Sequence, residues 1–174
     1  MTPLGFRPAN EADIDAIVAL VTRAYRGDAS RQGWTTEAEL LDGQRIDPAL
    51  LRIDITRPRN RVLLAFRGDA LVACAHVADA GGEGYFGMFA VEPTLQGAGI
   101  GRAVVAECER IACDDWQLPL MRMTVIDLRE ELISWYERLG YRRTGEYRPF
   151  PYGDARFGAP RRDDLRFEVL EKAL

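Results

Sequence analysis

Residues 86–102 read FGMFAVEPTLQGAGIGR, and this stretch limits the fold more than any other. An apolar run stops at Glu92-Pro93. Gly97, Gly99 and Gly101 then alternate ahead of a helical pattern that puts Ile100, Val104, Cys108 and Ile111 on one face. A strand-to-helix junction of this kind lets backbone N–H groups approach an anion, and the helix N-terminus adds partial positive charge. A diphosphate suits it, with Gln96 as an added donor and Arg102 as an added charge. Glycines so spaced also serve a tight turn with no ligand, and the turn alone does not separate the two. It does exclude two other phosphate motifs. A P-loop needs Gly-Lys-Ser/Thr, and this turn has Gly101-Arg102-Ala103. A dinucleotide fingerprint needs a third glycine, which falls on Arg102 counted from Gly97 and on Val104 counted from Gly99.

The chain has 174 residues, enough for one domain with a real core, and nothing divides residues 1–174. A formal net charge of −4 argues against a nucleic-acid partner. The short basic runs at 57–61 and 161–162 are mixed with acids and suit a solvated face. Cys74, Cys108 and Cys113 lack C-x-x-C spacing, which reads as buried, reduced thiols in a cytoplasmic protein. The single histidine, His76, argues against a zinc site, and no metal is expected. Only His76 could serve a Ser-His-Asp triad, and no G-x-S-x-G elbow accompanies it. It reads as a hydrogen-bonded strand residue. The first ten residues have no apolar h-region, and no apolar run approaches ~18 residues, so neither a signal peptide nor a membrane span is expected.

The spacing predicts a strand over 5–8, then a helix capped by Asn10 with Ile14, Ile17, Val18, Val21 and Tyr25 on its stripe. A loop over 27–33 leads to a second helix from Thr35 or Thr36 through Leu41. Asp47-Pro48 opens a third that runs to about Thr56. A hairpin joins strands 61–66 and 70–78 through Arg67-Gly68-Asp69. Strand 85–91, the glycine turn and its helix, strand 118–126 and helix 128–139 follow, with Gly140 as the stop. Strands 141–146 and 165–170 close the chain. The expected fold is α/β (α+β), with a mixed, mostly antiparallel sheet and helices on both faces. Its parallel pair is 85–91 with 118–126, the fourth and fifth strands.

The turn fits Q/R-x-x-G-x-G/A as Gln96-x-x-Gly99-x-Gly101, preceded by Val91-Glu92-Pro93. Some thirty residues on stands Leu132-Ile133-Ser134-Trp135-Tyr136-Glu137-Arg138-Leu139-Gly140-Tyr141. Two motifs at this separation, on this element order, resemble the GNAT (GCN5-related N-acetyltransferase) superfamily over essentially the whole chain. The 33–45 stretch and the PFP loop near Phe150 also look like those of an uncharacterised GNAT subgroup.

The resemblance implies a GNAT-like sheet splayed between its fourth and fifth strands to hold acetyl-CoA, with acetyl transfer to a small-molecule primary amine by direct attack. The pantetheine would lie along Phe89, Ala90 and Val91. The diphosphate would meet the N–H groups of Gln96, Gly97, Ala98, Gly99, Ile100, Gly101 and Arg102. An N–H near Phe89 would polarise the thioester carbonyl. Tyr136 takes the place of the family's general acid, though its ring also fits the core. The glutamate base that some members carry is replaced by Tyr85, which leaves Glu83 or Glu37 as candidate bases, each equally at home on a solvated surface. Trp34, Glu37, Tyr85 and Phe150 would wall the acceptor pocket together with the Gly43-Gln44-Arg45 stretch, and Arg129 could meet a carboxylate or the CoA. The resemblance admits a homodimer. It leaves two alternatives: an acetyltransferase acting on a protein N-terminus or lysine, and a non-catalytic acyl-CoA sensor.

Overall fold

The computed structural model describes residues 2–174. The chain opens with strand β1 (Leu4–Pro8) and helix α1 (Ile14–Tyr25). The Asn10 side chain accepts from the Ala12 N–H, and Asp13 reaches back to the Asn10 N–H, which closes a capping box at the entry. Ile14, Ile17, Leu20, Val21 and Ala24 form the buried stripe of α1. Each large aliphatic side chain buried there contributes about 1.5–3 kcal/mol. Helix α2 (Gly27–Ser30), strand β2 (Leu41–Asp42) and helix α3 (Pro48–Thr56) follow, the last capped by Asp47.

Next come β3 (Asn60–Arg67), β4 (Ala70–Asp79), β5 (Gly84–Val91), α4 (Ile100–Arg110), β6 (Leu120–Ile126), α5 (Glu130–Arg138), β7 (Arg142–Pro149), β8 (Ala159–Pro160) and β9 (Arg166–Ala173). Seven strands form one sheet in the order β1-β3-β4-β5-β6-β9-β7. Only β5 and β6 run parallel, as expected for residues 85–91 and 118–126. Helices α1 and α3 pack on one face, around Leu64, Cys74 and Ala90. Helices α4 and α5 pack on the other, around Phe86, Met121 and Met123. The predicted face of Ile100, Val104, Cys108 and Ile111 is buried.

Two features of β5 make the site. It pairs with β6 only at Gly84↔Met121 and Tyr85↔Arg122, and beyond Tyr85 the strands part. A Cβ at Gly84 would lie 2.9 Å from the Leu120 carbonyl oxygen, so this last close approach needs glycine. Beyond it, Ala90 faces Cys74 and Gly87 faces His76, which leaves Met88 and Phe89 opposite Ala75 alone. This is a β-bulge, and Met88 sits in the left-handed region at φ 46°. For a non-glycine residue that costs on the order of 1–3 kcal/mol, and such strain collects where a strand must re-aim its backbone.

The predicted helix from Thr35 to Leu41 does not form. That segment is a turn in which the Leu40 and Leu41 N–H groups donate to the Glu37 carbonyl. The short helix lies earlier, in α2, where a loop was expected. Within residues 35–41 the Glu37 side chain turns inward to buried Arg26 and Arg129, contacts that come from distant segments and that local helix propensity does not encode. The two-residue strands β2 and β8 also escaped the sequence reading; they pin residues 41–42 to 159–160. Cys113 is exposed, which corrects the expectation of three buried thiols. Burial pushes the Cys74 thiol up to about 12. His76 behaves as read, with Nε2 2.9 Å from Asn60 Oδ1.

Candidate active site

The gap between β5 and β6 opens into two adjoining recesses. Both are lined by Tyr25, Phe89, Arg129, Leu132 and Tyr136. The larger, about 520 Å³, runs from the glycine turn to Tyr136. The smaller, about 70 Å³, lies beyond Tyr136 against Glu37, Arg45 and Phe167.

At the turn, Gly97 and Gly99 hold φ of 85° and 82°. A Cβ at either would meet nothing within 4 Å, so the backbone faces open space rather than packed side chains. Gly99 is the N-cap of α4; no side chain caps the helix and its first turn holds no acid. The leading N–H groups thus keep their positive potential for an anion. Gly101 is favoured for a different reason: a Cβ there would come within 3.2 Å of Phe89 Cζ and 3.4 Å of Trp135, so those rings would have to give by a few tenths of an ångström.

Phe89 stacks on Trp135 with ring centroids 6.0 Å apart and planes 18° from parallel. Phe86, Trp135 and Tyr141 pack edgewise on the Tyr136 ring. The packing fixes the ring and leaves its hydroxyl, which faces the recess, without a protein hydrogen-bond partner among the described residues. Burial, aided by Tyr25, holds that hydroxyl well above the ordinary tyrosine pKa. The Tyr25 hydroxyl donates to the Phe89 carbonyl at the bulge and ties α1 to it.

Several expected site residues line the larger recess: Phe89, Ala90, Val91, Gln96, Gly97, Gly99, Gly101, Arg102, Tyr136 and Trp34. Ala98 is exposed in the turn, and Ile100 is buried beneath it. The Gln96 side chain does something other than expected. Its oxygen accepts the Thr35 N–H at 3.2 Å, and its amide donates to the Val91 carbonyl at 3.3 Å. It joins the 33–37 loop to the turn instead of reaching toward a phosphate.

The acceptor-side expectations change more. Glu83 lies outside both recesses, on the β4–β5 turn, with Oε2 3.2 Å from Arg122. Phe150 is buried in a satellite core with Leu41, Ile126 and Leu165, and Phe167 lines the recess in its place. Tyr85 stands beside the smaller recess, edge-on to His76 at 5.5 Å with its hydroxyl over Gly87. Glu37 does line that recess, yet both its oxygens are engaged: Oε1 by Arg26 and, at 3.6 Å, by Arg45; Oε2 by Arg129 at 3.3 Å. Arg45 lines the smaller recess, as expected for the 43–45 stretch of the acceptor wall, but Arg26 was not singled out. Arg26 follows directly on the α1 stripe, where an arginine ordinarily marks the solvent edge; here Gly158 closes over it from the far end of the chain.

The glycine cradle suits a phosphate group, and the recess behind it leads past aromatic side chains to a buried tyrosine. No group of three or more metal-ligating side chains occurs among the described residues, and no helix among them is long and apolar enough to cross a membrane. A family model described as an acetyltransferase (GNAT) domain matches residues 58–143, from just before β3 to the start of β7. Solved structures match over nearly the whole chain. An N-acetyltransferase from Staphylococcus aureus Mu50 aligns at a TM-score of 0.74 and 10% identity, covering 98% of this chain and 97% of its own. A ribosomal-protein-alanine N-acetyltransferase from Brucella melitensis aligns at 0.70 and 20%, covering 98% and 99%. A chimeric spermidine N-acetyltransferase from Vibrio cholerae and hSSAT aligns at 0.68 and 13%, covering 98% and 94%. No curated protein matches the chain in sequence. The chain belongs to the GNAT acetyltransferase superfamily.

Proposed function

We propose that this protein transfers an acetyl group from acetyl-CoA to the primary amine of a small molecule by direct attack. One observation carries the reading: the partnerless Tyr136 hydroxyl faces a recess whose other end is the uncapped N-terminus of α4. The turn from Gln96 to Arg102 would hold the diphosphate by its N–H groups. Phe89, Ala90 and Val91 would guide the pantetheine past the bulge. The acetyl-CoA supplies an activated acyl carbon, and Tyr136 would give its proton to the departing sulfur. A thiolate leaves more readily when protonated as it forms, a contribution of about 10²–10⁴ in rate for a positioned acid.

Among the described residues that line the recesses, the only carboxylate is Glu37. Glu37 is committed to arginines and Glu83 is outside the recesses, so the amine would enter as its free base. The small volume beyond Tyr136, about 70 Å³, favours a compact acceptor over a folded protein surface. Tyr136→Phe tests the reading. Turnover should fall about 10²-fold or more, while acetyl-CoA still raises the melting temperature as in the parent. Full activity in that variant would remove the assigned acid. Absence of turnover in the parent, with acetyl-CoA bound, would favour a sensor.

A further inference from the structure

Resting on the acetyltransferase reading, we propose that the acceptor carries a carboxylate next to its amine, as an amino acid does, and that Arg45 binds that carboxylate in the smaller recess, where Arg129 adds positive charge. Three guanidiniums, from Arg26, Arg45 and Arg129, share the single carboxylate of Glu37. The cluster therefore carries surplus positive charge where the acceptor would sit. Arg129 is 6% exposed, lines both recesses, and its buried Nε has no hydrogen-bond partner. Its other contacts are fixed: Nη1 donates to Glu37 and Nη2 donates to Thr35 Oγ1 at 2.7 Å. Glu131 lies 3.9 Å from Nε, beyond hydrogen-bond reach, and is half exposed.

Arg45 also lines the smaller recess, with its guanidinium 4.5 Å above the Tyr25 ring and 3.6 Å from Glu37, too far for a hydrogen bond. Arg129 Nε is sealed from the recess, so Arg129 contributes charge there, while Arg45, 28% exposed, keeps donors free on the recess side; a planar carboxylate is the partner that guanidinium geometry fits best. A polyamine would bring like charge to the same place.

Tyr136 and Phe89 stand where the recesses meet. A carboxylate seated on the arginines directs the neighbouring amine to that junction. The amine, having lost one proton to solvent, attacks the thioester carbon with its lone pair. The C–N bond forms and the C–S bond breaks. Its electron pair leaves on sulfur, which takes the Tyr136 proton. The new amide nitrogen loses its extra proton to solvent, and Tyr136 regains one from solvent. The products are an N-acetyl amino acid, free CoA thiol and one proton.

The test is the initial rate of thiol release with the standard amino acids, their carboxamides and decarboxylated counterparts, and spermidine. Acetyl-CoA binding is measured separately by thermal shift. The expected result is a kcat/KM at least tenfold higher for an amino acid than for its amide, the scale of one charge-assisted contact. Arg45→Gln should raise KM for that amino acid about tenfold and cut its kcat/KM advantage over the amide to a similar extent, while acetyl-CoA still raises the melting temperature. Arg129→Lys is the second variant, judged only if its melt is cooperative. Equal or better turnover of the amides, amines or spermidine would overturn the carboxylate proposal and leave the acetyltransferase reading standing. So would acetyl-CoA binding with no amino acid turned over. A protein that neither binds acetyl-CoA nor releases thiol with any amine would sink both.

Discussion

Gln96 and Thr35 are joined across the mouth of the larger recess: the Gln96 side-chain oxygen accepts the Thr35 N–H at 3.2 Å, and its amide donates to the Val91 carbonyl at 3.3 Å. One side chain thus fixes the distance between the anion turn, strand β5 and the loop that carries Trp34. Gln96→Ala removes both bonds and should lower stability by about 1–2 kcal/mol. The Thr35 amide should then exchange with solvent faster than it does in the parent, and KM for acetyl-CoA should rise. Hydrogen exchange and a denaturant melt read the two effects. Unchanged protection at Thr35 would mean that the loop is held by other contacts.

Glu37 separates a base from a structural ion. Its oxygens accept from Arg26 and Arg129, both nearly fully buried with it. Removing one partner from a buried ion cluster costs about 3–5 kcal/mol, because the remaining charges stay behind uncompensated. Glu37→Gln should therefore show a large loss of stability by denaturant melt, in proportion to which activity is lost. A base would behave otherwise: the variant would melt like the parent and fail only in turnover.

The glycine turn was legible because its chemistry is local: consecutive residues supply the positive φ values and the helix start. The hairpin, the βαβ crossover and the buried stripes of α1 and α4 were legible for the same reason, since period and turn residues are short-range signals. Tyr136 was legible only through its motif. The convergence of the arginines was not: Arg45 and Arg129 were named separately and Arg26 not at all, and the three come from separate segments that meet around Glu37 only in the folded chain. A helix was expected over 35–41 because the local pattern favoured it. The buried contacts of Glu37 come from other segments, which that preference does not encode. The bulge at Met88 left no trace either, since a methionine at positive φ is chosen by the sheet around it and not by its own propensity.

Gly99 allows strain and charge to be told apart. It holds φ 82° with open space where a Cβ would be. Any side chain there costs about 1–2 kcal/mol of backbone strain. Gly99→Ala should show that loss of stability and keep acetyl-CoA binding within a few-fold. Gly99→Glu should show a similar loss of stability and no measurable binding by calorimetry, since it sets a negative charge in front of the α4 N-terminus. Equal binding by the two variants would move the diphosphate away from this turn.

Rate and stability should both fail at the same alkaline limit. Burial is the chief cause that raises the pKa of Tyr25, Tyr85, Tyr136 and Tyr141 in the folded chain. For a raised pKa, the folded form holds its proton more tightly than the unfolded form does. The stability this gives is fully present below the unfolded value of about 10 and is lost as pH rises from there toward the folded values. Tyr136 therefore stays protonated, and able to act as an acid, until the fold itself gives way. With Glu37 committed to arginines, kcat/KM should climb with pH until the acceptor amine is deprotonated, then hold level to about pH 10. The fall beyond should coincide with a drop in the denaturant midpoint and with the appearance of tyrosinate absorbance. A fall near pH 8 with an unchanged midpoint would mean that a group other than Tyr136 delivers the proton.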